Sequence, residues 1–379
     1  MGTTKAGPPA LAVIGAGYWA RSQIRAWREL ARDGRVRLER VCDLDGEKAR
    51  AFREEFGFAH ADTDPAAMLD AGGVDLVDII SPTPTHRPLA LMAIERGVPV
   101  IVQKPMAATL ADARVMVRAS TDANVPLIVH ENYRWTPSVR AVADLLRAGA
   151  AGDLKDLTIR WQSGSHDYYA TQPYFKAQKR FLLGEVGVHL IDVARFLGGG
   201  DVVRVFAQTQ RFDDTIAGED FARVQLSLSS GVTASCVMAM ATPLEGERPS
   251  QTYVTACGIA GTVELGADYR IAVTTVGEGG LHTEAHTVPI PPLEGATPRL
   301  AALVASMVAA QGHYLDAIAS GSEAETSGRD NLNTLAGTYA AYLSAEQGCA
   351  VEIEPLDDLA RRLDAHGVGY PDAPSESAR

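Results

Sequence analysis

The segment that decides the fold is ALAVIGAGYWA, residues 10–20. Its first five residues are apolar and predict a buried strand, and the Gly-x-Gly-x-x-Ala sequence that completes it predicts a turn into a helix. In such a loop Gly15 permits the tight turn, Gly17 lets a pyrophosphate approach the backbone, and Ala20 lets the helix pack closely on the strand. A plain strand-to-helix turn is the alternative, but the position between a strand and a helix favours a dinucleotide site. The predicted contacts are Gly15, Gly17, Tyr18, Trp19 and Ala20.

The pattern of apolar residues changes once along the chain. Between residue 10 and about residue 129, short apolar runs alternate with amphipathic stretches, which predicts an α/β Rossmann domain with a doubly wound parallel sheet. After about residue 134, strand-like runs follow one another with turn residues between them, which predicts an α+β domain with a large, mainly antiparallel open sheet. The helices predicted in this second part are residues 137–149, 185–197, 300–320 and 329–346.

Length and composition are consistent with two domains. The chain has 379 residues, of which 46% are hydrophobic, so two cores of ordinary size can be buried. The expected organisation is a loose tail, a nucleotide-binding domain, a substrate and oligomerisation domain, and a second tail, at residues 1–9, 10–133, 134–370 and 371–379.

Charge and cysteine content exclude several classes of function. The net charge of −12 argues against binding to nucleic acid or to an anionic membrane. The four cysteines include no Cys-x-x-Cys pair, so neither a disulfide framework nor a zinc site is predicted. The first ten residues lack the apolar core of a signal peptide, and no run reaches the roughly 18 apolar residues of a membrane span. We therefore expect a protein of the reducing cytoplasm.

Asp43 follows the second predicted strand, residues 36–42. A carboxylate at that point of a Rossmann fold accepts hydrogen bonds from the adenosine ribose hydroxyls and repels a 2′-phosphate, so NAD is predicted in preference to NADP. The alternative is a solvated Asp that caps the next helix.

Two polar segments follow the third and fourth strands, at the sheet edge where the nicotinamide half of a dinucleotide extends. They are Ser81-Pro82-Thr83-Pro84-Thr85-His86 and Gln103-Lys104-Pro105. A lysine at the end of an apolar run is costly to bury unless a partner compensates its charge. Lys104 in that position can polarise a carbonyl group or stabilise an alkoxide. A surface lysine at a strand end is the alternative.

Residues 183–192 read LGEVGVHLID. Glu185 and His189 are four residues apart and on a helix would share one face. A carboxylate beside a histidine orients the ring and favours its charged form, as a base that removes a hydroxyl proton requires. An ordinary polar pair on a helix surface is the alternative. The spacing matches no metal motif, so no metal is predicted.

These four ordered motifs together resemble the glucose-fructose oxidoreductase and inositol dehydrogenase (Gfo/Idh/MocA) family over nearly the whole chain. The resemblance implies that Lys104 is the catalytic lysine, that His189 is the acid/base, and that Glu185 stands at the position of the substrate-holding Asp. Two departures are Gln103, where the family usually has Glu, and Glu185 itself. Gln103-Lys104-Pro105 and the sequence VHENYRW at residues 129–135 look most like the branch that oxidises the branched pentose D-apiose with NAD.

The resemblance also implies further contacts and an assembly. The additional cofactor contacts would be Asp43, Ser81, Pro82, Thr83, His86, Gln103, Lys104 and Asn132. The substrate contacts would be Lys104, Arg134, Trp135, Tyr168, Glu185 and His189. The family's antiparallel sheet usually forms the subunit interface, which implies a homodimer or homotetramer.

The predicted function is NAD-dependent oxidation of a hydroxyl group on a sugar, a sugar lactol or a cyclitol. One alternative is a glycosidase or epimerase of the same superfamily that recycles NAD on a single substrate. Another is a non-catalytic regulator that senses the nucleotide, although such a protein has no need of both Lys104 and His189.

Overall fold

The computed structural model describes residues 7–163, 172–240, 252–293, 295–353 and 355–369. The chain divides into two compact units. The first unit comprises Met1–Ala107, Asp112–His130 and Met307–Asp330. The second comprises Ala108–Ala111, Glu131–Ser306 and Asn331–Arg379.

In its described residues, the first unit has a six-stranded parallel sheet of order β3-β2-β1-β4-β5-β6. The direction of winding reverses between β1 and β4, which is the switch point at which a doubly wound sheet binds ligands. The predicted Rossmann fold is thus confirmed. The strands are β1 (Ala10–Ile14), β2 (Arg37–Cys42), β3 (His60–Asp62), β4 (Leu76–Ile79), β5 (Val100–Gln103) and β6 (Leu127–His130).

The first unit's helices connect these strands: α1 (Tyr18–Arg32), α2 (Gly46–Phe56), α3 (Pro65–Asp70), α4 (His86–Glu95) and α5 (Leu110–Ala123). Helix α1 packs Ile24, Trp27 and Leu30 into the core, and all three are at most 3% exposed. Their spacing of three residues places them on one helical face. The short strand β3 was not predicted from the sequence, because it has three residues and no apolar run.

The second unit is built on a larger sheet. Its described residues form nine strands in the order β14-β13-β12-β11-β7-β10-β9-β8-β15, in which only β7 and β10 pair in parallel. The predicted α+β fold with a mainly antiparallel sheet is confirmed. The strands are β7 (Leu154–Gln162), β8 (Val202–Gln210), β9 (Phe221–Leu228), β10 (Thr233–Ala239), β11 (Thr252–Gly258), β12 (Gly261–Leu265), β13 (Arg270–Gly277), β14 (Gly280–Thr287) and β15 (Val351–Glu352).

The remaining helices are α6 (Pro137–Arg147), α7 (Val188–Gly198), α8 (Pro298–Ser320), α9 (Gly328–Gln347) and α10 (Leu356–Ala365). Helix α10 was not predicted. It buries Leu359, Ala360 and Leu363. None of the described helices combines the length and the apolar character that crossing a bilayer requires.

The two units do not follow the predicted contiguous division at residues 133 and 134. Residues 307–330 belong to the first unit, because this late segment packs against β6. Thr326 Oγ1 and Tyr314 Oη both donate hydrogen bonds to the Val129 carbonyl, at 2.8 and 3.2 Å. The Ser327 backbone forms an antiparallel bridge with Ile128. Whether residues 10–133 and 134–370 fold as separate domains stays a prediction.

Candidate active site

The two glycines of the β1–α1 loop have different surroundings. Gly15 has φ +109°, and a Cβ built on it would lie 2.5 Å from the Ile80 carbonyl oxygen, so the turn presses directly on the end of β4. Gly17 has φ −86°, and no described heavy atom lies within 4 Å of a Cβ built on it. The fold itself therefore excludes a side chain at Gly15, whereas it leaves open space for one at Gly17.

This loop fits a dinucleotide pyrophosphate. In the described structure no side chain caps the start of α1 at Gly17, and the first turn has no acidic residue. Helix N-terminal N–H groups without a side-chain cap attract anions. Trp19 Nε1 is also buried without a hydrogen-bond acceptor among the described residues. Tyr18, the first residue of α1, is 55% exposed.

Asp43 lies beside the glycine loop and does not cap α2. Its Oδ2 atom accepts a hydrogen bond from the Ala16 N–H at 2.8 Å, and its Oδ1 accepts one from the Asp45 N–H at 2.9 Å. The N-cap of α2 is Asp45, which accepts from the N–H groups of Glu47 and Lys48. The Asp43 side chain is thus held at the rim of the predicted pyrophosphate loop, half-buried.

His86 lies between two of the predicted cofactor loops. Its Nδ1 lies 3.1 Å from the Pro105 carbonyl oxygen, and its Nε2 lies 2.8 Å from the Ser81 carbonyl oxygen. Burial lowers the pKa of His86 to about 4, although these hydrogen bonds oppose the shift. A neutral imidazole carries only one N–H, so one ring nitrogen of His86 donates a hydrogen bond and the other only faces a carbonyl oxygen. The buried ring therefore lies between the segment after β4 and the segment after β5 and is bonded to one of them.

A chain of hydrogen bonds leads from Lys104 into the core of the first unit. The Lys104 N–H donates to Gln103 Oε1 at 2.7 Å, and Gln103 Nε2 donates to Gln23 Oε1 at 2.6 Å. Gln23 Nε2 in turn donates to Asp78 Oδ2 at 2.7 Å, and Trp27 Nε1 donates to the same oxygen at 2.7 Å. The position of Gln103, where the family usually has Glu, is thus fixed by a buried polar network.

Sequence reasoning missed Asp78 and Gln23. Asp78 is fully buried in β4, and burial raises the pKa of its carboxyl to about 7. The signal was present, since a carboxylate in the middle of an apolar run, residues 76–80, has to be paired or neutral when it is buried.

His189 lies in α7, directly after a π-helical turn at Leu183–Gly187. The hydrogen bonds of such a turn run from residue i to i+5, so the predicted α-helical start at Glu185 is wrong. His189 is 4% exposed, and its Nδ1 is hydrogen-bonded to Glu131 Oε1. The carboxylate found at Nδ1 is therefore Glu131, which sequence reasoning did not single out, rather than Glu185.

The imidazole of His189 is also stacked on an aromatic ring. The Tyr133 and His189 ring centroids are 3.9 Å apart, with an interplanar angle of 5°. The packing around Tyr133 raises the pKa of its hydroxyl to about 12. Tyr133 is thus neutral, and its aromatic ring stacks on the imidazole.

The start of the π-helical turn is held by a buried carboxylate from elsewhere in the second unit. Glu219 Oε1 accepts hydrogen bonds from the Leu183 N–H at 2.9 Å and from the Tyr342 hydroxyl at 2.8 Å. The same hydroxyl accepts a hydrogen bond from the Gly184 N–H at 2.8 Å. Burial raises the pKa of Glu219. These contacts satisfy N–H groups that a helix start leaves without partners.

Asp192, the last residue of the Glu-x-Gly-x-His-x-x-Asp motif, is paired with Arg134. Arg134 Nε and Nη2 donate to the two carboxylate oxygens at 2.7 and 2.5 Å, and the Thr334 hydroxyl donates to Oδ1 at 3.1 Å. Arg134 is 5% exposed and Asp192 is fully buried. This pair anchors the turn Tyr133–Trp135 to α7, so the observed contact of Arg134 is structural and its predicted substrate role stays a prediction.

The other predicted residues are placed as follows. Asn132 is 1% exposed, and its Nδ2 donates to Ser306 Oγ at 2.7 Å. Trp135 lies under the Arg140 guanidinium, whose Cζ is 3.6 Å from the ring centroid. Glu185 is half-buried. Tyr168 lies outside the described residues. Among the described residues, no group of three His, Cys, Asp or Glu side chains could hold a metal ion.

Two family models match the chain. Residues 10–131 match the model described as the oxidoreductase family with an NAD-binding Rossmann fold, and residues 139–264 match the GFO/IDH/MocA C-terminal domain. The chain therefore belongs to the Gfo/Idh/MocA family, as the four motifs predicted. It is an oxidoreductase, and its cofactor is NAD.

More specific similarities point to one activity among the relatives. D-apiose dehydrogenase of Paraburkholderia graminis is 42% identical, and the match covers 91% of this chain and 90% of the relative. D-apiose dehydrogenase of Rhizobium rhizogenes is 36% identical, with 90% and 96% covered. An oxidoreductase of Agrobacterium radiobacter, crystallised with NAD⁺, L-tartaric acid and magnesium, is 35% identical, with 92% and 99% covered and a TM-score of 0.85.

Proposed function

We propose that this chain is an NAD-dependent dehydrogenase that oxidises a sugar hydroxyl, with D-apiose or a similar branched pentose as its substrate. The observation that carries the substrate assignment is the similarity to two D-apiose dehydrogenases at 42% and 36% identity over nearly their full lengths. The predicted motifs Gln103-Lys104-Pro105 and residues 129–135 support the same branch.

The residues that would hold the cofactor are those of the first unit's sheet edge. The loop from Gly15 to Ala20 would bind the pyrophosphate, and Asp43 would accept hydrogen bonds from the adenosine ribose. Ser81, Thr83 and Gln103 would bind towards the nicotinamide. When bound, NAD⁺ supplies the acceptor for the hydride that leaves the oxidised carbon.

The proposed chemistry assigns one proton acceptor and one oxyanion stabiliser. His189 Nε2 accepts the proton of the reacting hydroxyl, since Nδ1 is engaged by Glu131. The Lys104 ammonium stabilises the negative charge that develops on the oxygen as the proton leaves. Glu185 binds a second hydroxyl of the sugar and so holds the substrate in register.

We further propose that the protein works in the cytoplasm as a homodimer or homotetramer. The large, mainly antiparallel sheet of the second unit supports this assembly, because a sheet of this kind usually forms the subunit interface in the family. Light scattering coupled to size-exclusion chromatography measures the mass, and a monomer would contradict the proposal.

The function is tested by following NADH absorbance with NAD⁺ or NADP⁺ and a panel of D-apiose, common aldoses, inositols and glycosides. We expect NADH formation with D-apiose and a preference for NAD⁺. Product formation without net NADH would show that the cofactor is recycled. Nucleotide binding without turnover of any compound would favour a regulator, and either result would contradict the proposal.

A further inference from the structure

We infer that Glu131 is a positioning residue that fixes the tautomer and the ring orientation of His189. The inference rests on the proposed function, in which His189 accepts the hydroxyl proton. It adds a residue that the family motifs do not include.

Both groups are buried in the second unit. Glu131 directly follows β6 and is fully buried, and His189 is 4% exposed. Glu131 Oε1 is hydrogen-bonded to His189 Nδ1 and also accepts from the Tyr133 N–H at 3.3 Å. One carboxylate oxygen is thus oriented by the backbone and directed at one ring nitrogen.

The chemistry of the pair determines which nitrogen carries the proton. An ionised carboxylate can only accept hydrogen bonds, so His189 Nδ1 must be the N–H donor. In the neutral ring the lone pair is then on Nε2, which becomes the proton acceptor. Burial of a charge without such a partner is costly, so the hydrogen bond stabilises the carboxylate and the tautomer together.

Tyr133 restricts the remaining freedom of the ring. Its face is parallel to the imidazole at a centroid distance of 3.9 Å, so rotation of the imidazole out of this plane would break the stacking. An aromatic face also stabilises a cation above it. The stacked ring and the carboxylate therefore both favour the imidazolium that forms when the substrate is oxidised.

The oxidation removes one proton and one hydride from the substrate. The substrate O–H bond breaks and its proton forms an N–H bond at His189 Nε2. The electron pair of the oxygen forms the C=O bond, and bound NAD⁺ would accept the C–H electron pair with its hydrogen. Glu131 stays ionised throughout and offsets the imidazolium charge. The imidazolium then returns its proton to water.

The test compares Glu131→Gln with wild type in protein free of cofactor and substrate. Long-range ¹H–¹⁵N correlation of ¹⁵N-histidine-labelled protein reports which ring nitrogen carries the proton, and His189→Gln identifies the signal. We expect the Nδ1–H tautomer in wild type and a mixed or Nε2–H tautomer in Glu131→Gln. In the dehydrogenase assay we expect kcat to fall roughly 10²- to 10⁴-fold, with KM unchanged.

Two further variants keep the inference testable if Glu131→Gln folds poorly. Glu131→Asp retains the carboxylate at a greater distance, so it should keep the tautomer in part and lose less kcat than the amide. Asp220→Asn is the matched control. Asp220 is also fully buried, and it accepts hydrogen bonds from the N–H groups of Phe212 and Asp213. This control should change neither the tautomer nor kcat.

The inference is overturned if Glu131→Gln keeps the Nδ1–H tautomer and a wild-type kcat. It is equally overturned if Glu131→Asp loses as much of the Nδ1–H tautomer and of kcat as Glu131→Gln does, because the retained carboxylate would then have no effect. A wild-type protein without dehydrogenase activity would contradict the proposed function, whereas the tautomer measurement needs no turnover and still tests the role of Glu131.

Discussion

Gly15 and Gly17 are two residues apart in one loop, yet each is glycine for a different reason. At Gly15 the backbone has φ +109° and a side chain would collide with Ile80, so the fold itself requires glycine. At Gly17 the described structure leaves space for a side chain, so only a ligand could require glycine there. The pair therefore separates the demands of folding from those of binding.

We expect Gly17→Ala to weaken NADH binding at least about tenfold, which corresponds to ~1.4 kcal/mol, without lowering the thermal midpoint. Gly15→Ala should lower both the NADH affinity and the thermal midpoint, because overpacking of this kind costs typically 1–3 kcal/mol. Fluorescence titration with NADH and thermal unfolding measure the two effects. Unchanged NADH affinity in Gly17→Ala would contradict the placement of the pyrophosphate.

Single residues were predictable from sequence where a motif placed them, and not where the fold brought distant residues together. Asp43 was predicted at the end of the second strand, and its carboxylate accepts a hydrogen bond from the Ala16 N–H of the glycine loop. Glu131 was missed because its contact with His189 joins residues 58 positions apart. No pattern within the 129–135 sequence indicates that contact.

At the scale of elements, periodicity predicted most of the strands and helices. It missed the short strand β3 and helix α10, and it gave no indication of geometry that remote groups determine. The helix predicted at residues 185–197 begins inside a π-helical turn, Leu183–Gly187, and not with an α-helical turn. The first N–H groups of the π-helical turn are satisfied by Glu219 and Tyr342, which lie far along the chain. An i,i+4 pattern in the sequence cannot reveal such acceptors.

Strand β4 contains a buried carboxyl whose ionisation should depend on folding. The pKa of Asp78 is raised from 3.8 to about 7. Between these values the unfolded chain ionises Asp78 while the folded chain keeps it protonated, so stability falls as pH rises through this window. The loss is complete above about pH 7 and is on the order of 4 kcal/mol.

Asp78→Asn should remove this pH dependence. The Asn carbonyl oxygen can accept the hydrogen bonds that Gln23 and Trp27 donate to Oδ2. We therefore expect the stability of the variant relative to wild type to increase between pH 3.8 and about 7, as measured by urea midpoints. Parallel pH profiles of stability for the two proteins would contradict this prediction. They would show that the pKa of Asp78 is the same in the folded and the unfolded chain.

At the scale of the whole molecule, the sequence pattern was enough to predict both fold classes. Strands alternate with helices up to about residue 129, and strands follow one another after about residue 134. The membership of residues 307–330 in the first unit could not be predicted, because the hydrogen bonds from Tyr314 and Thr326 to Val129 leave no trace in local periodicity. The position of the polar residues at strand ends could be predicted once the parallel sheet was predicted. Parallel strands bring their carboxyl ends to one edge.

The proposed dehydrogenase mechanism requires Lys104 to stabilise the developing oxyanion. The most direct test measures NADH formation from D-apiose and NADH affinity in wild type and Lys104→Met. We predict a loss of roughly 10²-fold or more in kcat, about 2.7 kcal/mol of transition-state stabilisation, with NADH affinity nearly unchanged. A Lys104→Met enzyme that forms NADH at the wild-type rate would contradict this mechanism.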